Sequence, residues 1–207
     1  MSHAFGRTRW KRFAAVLVPA VATAAALGIG MAQGALAASF FISGEKFQIS
    51  ADTIDVRGLS IYGMVDVPRK GTPVPVAVNG FRHAKISGLC QSVVVPIPVL
   101  GPYTLRLTGG DRSQVEADNM FIDATSLSVG NAKLKDIDIG VAAGAISKGP
   151  INPGDRNSRF FDPNGVAQQA VSAVLTDVRA TAVAVSAATL NVPDLNLRLE
   201  QGRHECF

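Results

Sequence analysis

Apolar and polar residues alternate along most of this chain, and the alternation is cleanest near its end. From Thr181 to Phe207, Val183 and Val185 alternate with small residues, and Leu190 and Val192 resume in the other parity. Leu195, Leu197 and Leu199 then stand against Asn196, Arg198 and Glu200. A period of two sends successive side chains to opposite faces, so the stretch predicts a half-buried strand. The parity changes fall beside Ala187-Ala188 and Pro193-Asp194, where a bulge or turn would return the apolar face to the core.

Similar signals recur upstream. Phe47, Ile49 and Ala51 alternate, then Ile54 and Val56, then Leu59, Ile61 and Val65 after Gly58; breaks this frequent predict short strands. Val74, Val76 and Val78 are interrupted by Pro75, which assigns them to a sheet edge. Asn79-Gly80 predicts a hairpin turn leading into Phe81 to Ile86. An apolar strand near Val93 to Val95 precedes a Pro-rich bend, after which Tyr103, Leu105 and Leu107 face away from Thr104, Arg106 and Thr108. Val115 and Ala117, Phe121 to Val129, and Ile137, Ile139 and Val141 continue the pattern. A loop rich in Gly, Pro, Asn and Asp fills about 147–165, and Val166 to Val174 fits a strand better than a short helix. The fold class is therefore all-β, with many short strands in an elongated twisted sheet or open barrel.

The N-terminus carries a different pattern. Arg7, Arg9, Lys11 and Arg12 precede an uncharged run from Phe13, and Ala35 and Ala37 before Ala38 form an A-x-A site. Residues 1–37 read as a secretory signal peptide, with an uncleaved anchor over 13–32 as the competing reading. Residues 38–207 then form a single β-rich domain. The expected location is outside the cytoplasm, secreted or associated with the cell envelope.

Export changes the charge argument. The leader holds four of the 20 basic residues and none of the 16 acidic ones, so 20 − 4 = 16 basic residues remain against 16 acidic. That balance removes the electrostatic case for nucleic acid. Cys90 and Cys206 are the only cysteines, and an oxidising compartment makes one disulfide between them the default over two free thiols. Such a bridge is worth on the order of 4 to 5 kcal/mol on chain-entropy grounds.

Catalytic chemistry is weakly represented. G-x-S-x-G is absent, since Gly58-Leu59-Ser60-Ile61-Tyr62-Gly63 is one residue too long, and no orienting carboxylate is evident in sequence beside His83 or His204. Asp136 and Asp138, with Asp118 and Asp123, read as the polar face of strands rather than a calcium site. No cofactor motif, zinc spacing or phosphate-binding glycine loop is present. The inward positions are mostly Ala, Val, Leu and Gly, which suits a dry core or a smooth groove for an acyl chain or sterol. The inward positions of Phe121 to Val141 and Val183 to Leu199 are the candidate lining. Phe160 and Phe161 in the loop are candidates for a ligand- or membrane-touching tip, or they fold back onto the sheet.

The runs GLCQSVVVPIPVLGPYTLRLTGG and LTDVRATAVAVSAATLNVPDLNLRLEQG, with the terminal Glu205-Cys206-Phe207, resemble small exported actinobacterial proteins of a domain-of-unknown-function family often labelled "cholesterol esterase". The resemblance implies an envelope protein and a small multi-pass membrane protein as partner. It carries over no catalytic serine. The expected function is a non-catalytic apolar-ligand (lipid) binding or structural protein; the alternative is a steryl or acyl ester hydrolase using Ser60 or Ser92.

Overall fold

A computed structural model describes residues 45–67, 72–97 and 100–207. The expected leader, its expected cleavage residues Ala35, Ala37 and Ala38, and the alternative anchor over 13–32 lie outside the described residues. One antiparallel sheet of eight strands accounts for most of the rest: β1 (Phe47–Asp66), β2 (Val74–Ser87), β3 (Leu89–Ile97), β4 (Gly101–Gly109), β5 (Val115–Ala142), β6 (Val166–Ser186), β7 (Thr189–Asn191) and β8 (Asn196–Gln201). β1 and β5 each pair with both β2 and β6, so the four longest strands close into a ring. β3, β4 and β8 extend from β1 as a three-stranded flap, and β7 pairs with the start of β5.

The expected short strands are instead long ones with corners. Two rows of residues cross the sheet where pairing lapses but register continues on either side. One row holds Asn119, Arg82, Gly58, Val171 and Asp136; the other holds Gly130, Asp177, Asp52 and Gly88. The rows lie six residues apart along the chain, at 52 and 58 in β1, 130 and 136 in β5, 171 and 177 in β6, and at 82 in β2 and 88 just after it. Gly58, Asn119 and Asp136 in the first row and Gly88 and Asp177 in the second have positive φ, a conformation that Gly, Asn and Asp tolerate best. Each such residue bends the strand and exchanges its faces. Hence Ile54 and Val56 share the core with Leu59, and Ala173 and Leu175 share it with Val178 and Ala180, despite the change of parity.

Asn79-Gly80 is not a hairpin turn, because β2 runs straight through it. The glycine is needed for close approach: a Cβ there would stand 2.5 Å from Ser60 Oγ and 2.8 Å from the Pro150 carbonyl. The Asn79 side chain is buried and donates to the Ala77 and Ile122 carbonyls. The edge reading of Pro75 fits its surroundings, since pairing with β5 begins only at Ala77.

Two apolar clusters form on opposite faces of β1. Inside the ring, Ile54, Val56, Leu59, Phe81, Ile86 and Val115 are among the buried residues. On the other face, Tyr62, Met64, Val76, Val78 and Phe121 lie beneath a strap, residues 143–165, which contains a 3-10 turn (Ala143–Ala145) and the one-turn helix α1 (Pro153–Arg156). The strap passes so close to β1 that a Cβ on Gly149 would stand 2.4 Å from the Leu59 carbonyl carbon. A strand buried on both faces loses its alternation, which is why Leu59, Ser60 and Tyr62 are all buried.

The flap departs most from expectation. β3 continues β2 in unbroken register along β1, from Thr53↔Ser87 to Gln48↔Ser92, and β4 and β8 follow. Leu195, Leu197 and Leu199 are 56%, 61% and 58% exposed, so the apolar face of β8 does not return to the core. β8 pairs with β4 at the far margin of the sheet, beyond the reach of both clusters. The Cys90–Cys206 disulfide spans 116 residues and ties the C-terminal tail to β3. There the Cys206 amide donates to Ser92 Oγ (3.0 Å), the His204 amide to Thr104 Oγ1 (2.9 Å) and the Phe207 amide to Gln48 Oε1 (3.1 Å). These contacts satisfy the buried hydroxyls of Ser92 and Thr104.

Candidate functional site

β5 leaves β2 after Ala124, at register shifts around Asp123, Ala124 and Ser126, and from there pairs with β6 alone. Its inward residues beyond that point, Leu127, Val129, Ala132, Leu134, Ile137 and Ile139, form one wall of an apolar slot of about 310 Å³. The opposite wall and floor come from β1, β2 and β6, including Ile54, Leu59, Ile61, Phe81, Leu175 and Val178. Among the described residues only the Asn79 and Gln168 side chains add polar character to the lining. Ile139 is 72% exposed, so the slot opens to solvent along the free edge of β5.

Of the inward positions named from the sequence, one of the two stretches meets this slot. Phe121 to Val141 supplies the β5 wall, whereas nothing from Val183 to Leu199 reaches the slot, because that segment lies in the end of β6, in β7 and in the flap. Phe160 and Phe161 are half-buried against the cluster under the strap, with Phe161 edge-on to Tyr62 at 5.8 Å between ring centres and Arg159 stacked on Phe160 at 4.7 Å.

Polar groups gather in three places. His83 Nδ1 lies 2.8 Å from Asp118 Oδ1, and Thr189 Oγ1 donates to Asp118 Oδ2 at 2.7 Å. An orienting carboxylate for His83 thus does exist, supplied across the β2–β5 ladder from a residue 35 positions away. Hydrogen bonds from His83 and Thr189 hold the Asp118 carboxyl below its ordinary range. Ser60 and Ser92 are far from serving this pair: the Ser60 hydroxyl is buried and donates to the Pro150 carbonyl, and Ser92 Oγ accepts from the tail.

Asp136 and Asp138 take an ammonium ion between them. Lys148 Nζ lies 2.9 Å from Asp136 Oδ1 and 2.8 Å from Asp138 Oδ2, and the Asp138 carboxyl is lowered by that contact and by Gln169. Gln169 also accepts from the amides of Ser147 and Lys148, pinning the start of the strap. Asp118 and Asp123 stand apart from this pair, and no group of three or more potential metal ligands occurs among the described residues.

Under the strap, the Tyr62 hydroxyl donates to Asp155 Oδ2 at 2.7 Å and accepts from the Asn152 amide at 3.1 Å. Burial, then the neighbouring Asp66 and Asp155, push the Asp123 carboxyl up to about 7, and Asp66 is raised by burial and by Asp155. Asp123 Oδ1 is buried without a hydrogen-bond partner among the described residues. Asp123, read from the sequence as part of a polar strand face, is instead half-buried here, and Asp66 and Asp155 left no sequence signal because the three carboxyls come from β5, β1 and α1.

A family model described as a family of unknown function, DUF6230, matches residues 43–207, and the chain belongs to that family. No curated protein and no solved structure matches the chain.

Proposed function

We propose that this member of the DUF6230 family is a non-catalytic binding protein for a lipid acyl chain, carried in the slot between β5 and the rest of the ring. The observation that carries the reading is the slot itself: an opening of about 310 Å³ walled mainly by apolar side chains. Its volume sits at the lower end of small-molecule sites, which favours a slender chain. Apolar cavities stay dry and take apolar guests. The disulfide suits work in an oxidising compartment, consistent with an exported protein of the cell envelope, and a small membrane protein there is the proposed partner.

The ester hydrolase reading draws on the His83–Asp118 pair but gains no nucleophile from Ser60 or Ser92, because both candidate serines are buried on backbone partners elsewhere. Fluorophosphonate labelling is accordingly expected to be negative.

Each methylene taken into the slot contributes about 0.8 kcal/mol, so affinity should rise roughly fourfold per carbon until the slot is full. Titration of the disulfide-intact protein with saturated fatty acids of increasing length measures this. The expected result is a climb to a plateau that Leu134→Trp abolishes; chain-length independence, or binding unchanged by Leu134→Trp, would overturn the reading.

A further inference from the structure

We propose that the polar face of the flap holds an oxyanion between Arg106 and Arg198. The two arginines are directly paired across β4 and β8. Like charges placed opposite each other on a sheet repel, and such a pair is destabilising unless something of opposite sign lies between. Neither makes an ion pair with a carboxylate among the described residues, although Asp111, Asp194 and Glu200 line the same depression of about 390 Å³.

Both guanidinium groups are held by one edge. Arg106 Nε donates to Cys90 Sγ at 3.3 Å, and Arg198 Nε donates to Asn196 Oδ1 at 3.1 Å. Their terminal nitrogens carry no hydrogen bond to the described residues and share the depression with Arg112 and Thr108. A planar fork fixed at Nε with free Nη groups is the geometry that grips phosphate or carboxylate oxygens bidentately. Bound there, one anion turns the cross-strand repulsion into two charge-assisted contacts. The disulfide then gains a second role, as the sulfur that positions Arg106.

The class of ligand is a phosphate-type oxyanion, free or as a lipid headgroup. The test uses the disulfide-intact protein with two probes: inorganic phosphate, followed by thermal shift and NMR titration, and vesicles with or without phosphatidic acid, followed by co-sedimentation. Saturable phosphate stabilisation, weakened about tenfold or more by Arg106→Gln or Arg198→Gln, is the expected result. A response confined to phosphatidic acid vesicles and lost in the same variants assigns the oxyanion to a headgroup. In phosphate-free buffer Arg198→Gln should be at least as stable as the parent, because a repulsion has gone. No response to either probe, or a response both variants retain, would overturn the proposal. So would Arg198→Gln unfolding more easily in phosphate-free buffer.

Discussion

A Cβ on Gly58 would stand 2.8 Å from the Cβ of Arg82, its cross-strand neighbour at a corner of the ring. The contact is with the root of a side chain rather than its mobile end, and the Lys148 carbonyl lies only 3.0 Å from the same point. Gly58 also has φ +70°, which costs an L-residue about 1 to 2 kcal/mol. Gly58→Ala should therefore destabilise by about 2 to 3 kcal/mol in urea. Gly88→Ala should cost less, near the strain alone, because the atoms it meets are the swinging carboxylate end of Asp52.

Tyr62→Phe removes the hydroxyl that joins β1 to Asn152 and Asp155. The loss should be about 1 to 3 kcal/mol, with the Asn152 amide left unsatisfied. Hydrogen exchange should quicken at the strap amides, including Asn152, while amides of the β1–β6 ladder keep their protection.

Stability should fall as pH rises from 5 to 8. The Asp123 carboxyl has a folded pKa near 7, above its unfolded value, so its contribution is complete below the unfolded pKa and is lost as pH passes through about 7. Asp66, raised in the same direction, adds to the decline. The lowered carboxyls of Asp118 and Asp138 act oppositely, losing their contribution only in acid, below that window. Urea midpoints against pH should slope downward for the parent and flatten for Asp123→Asn.

Reducing the disulfide frees a loop of 116 residues, and on chain-entropy grounds the cost is about 4 to 5 kcal/mol. Cys90→Ser with Cys206→Ser should reproduce it. Tail contacts to Ser92 and Gln48 should exchange first, ahead of the ring.

The class of fold was legible because alternation survives wherever one face of a strand is covered. Its long strands were not, because a bend residue and a strand end look alike in sequence: Gly58 inside β1 resembles a terminator as much as Gly109 at the end of β4 does. Asn79-Gly80 misled for a related reason, since the glycine answers to the strap crossing overhead, a contact with Pro150 far along the chain. The β5 wall of the slot could be read from Leu127 to Ile139, yet its other walls could not, because Ile61, Phe81 and Leu175 belong to a core pattern with no mark distinguishing lining from filling. The leucines of β8 have the spacing of buried residues; what they lack is a layer to pack on, and that is a property of topology.

The tail bond also decides how the fold bears load. A pull on Phe207 passes through Cys206 to Cys90, and from there to the ladder where Ser50 faces Cys90 on β1. Tension thus enters at a central strand and bypasses β8, although β8 lies nearer in sequence. The flap margin can peel without weakening the tether, while the tether itself yields only when the inner strands shear or the sulfur bridge is cut.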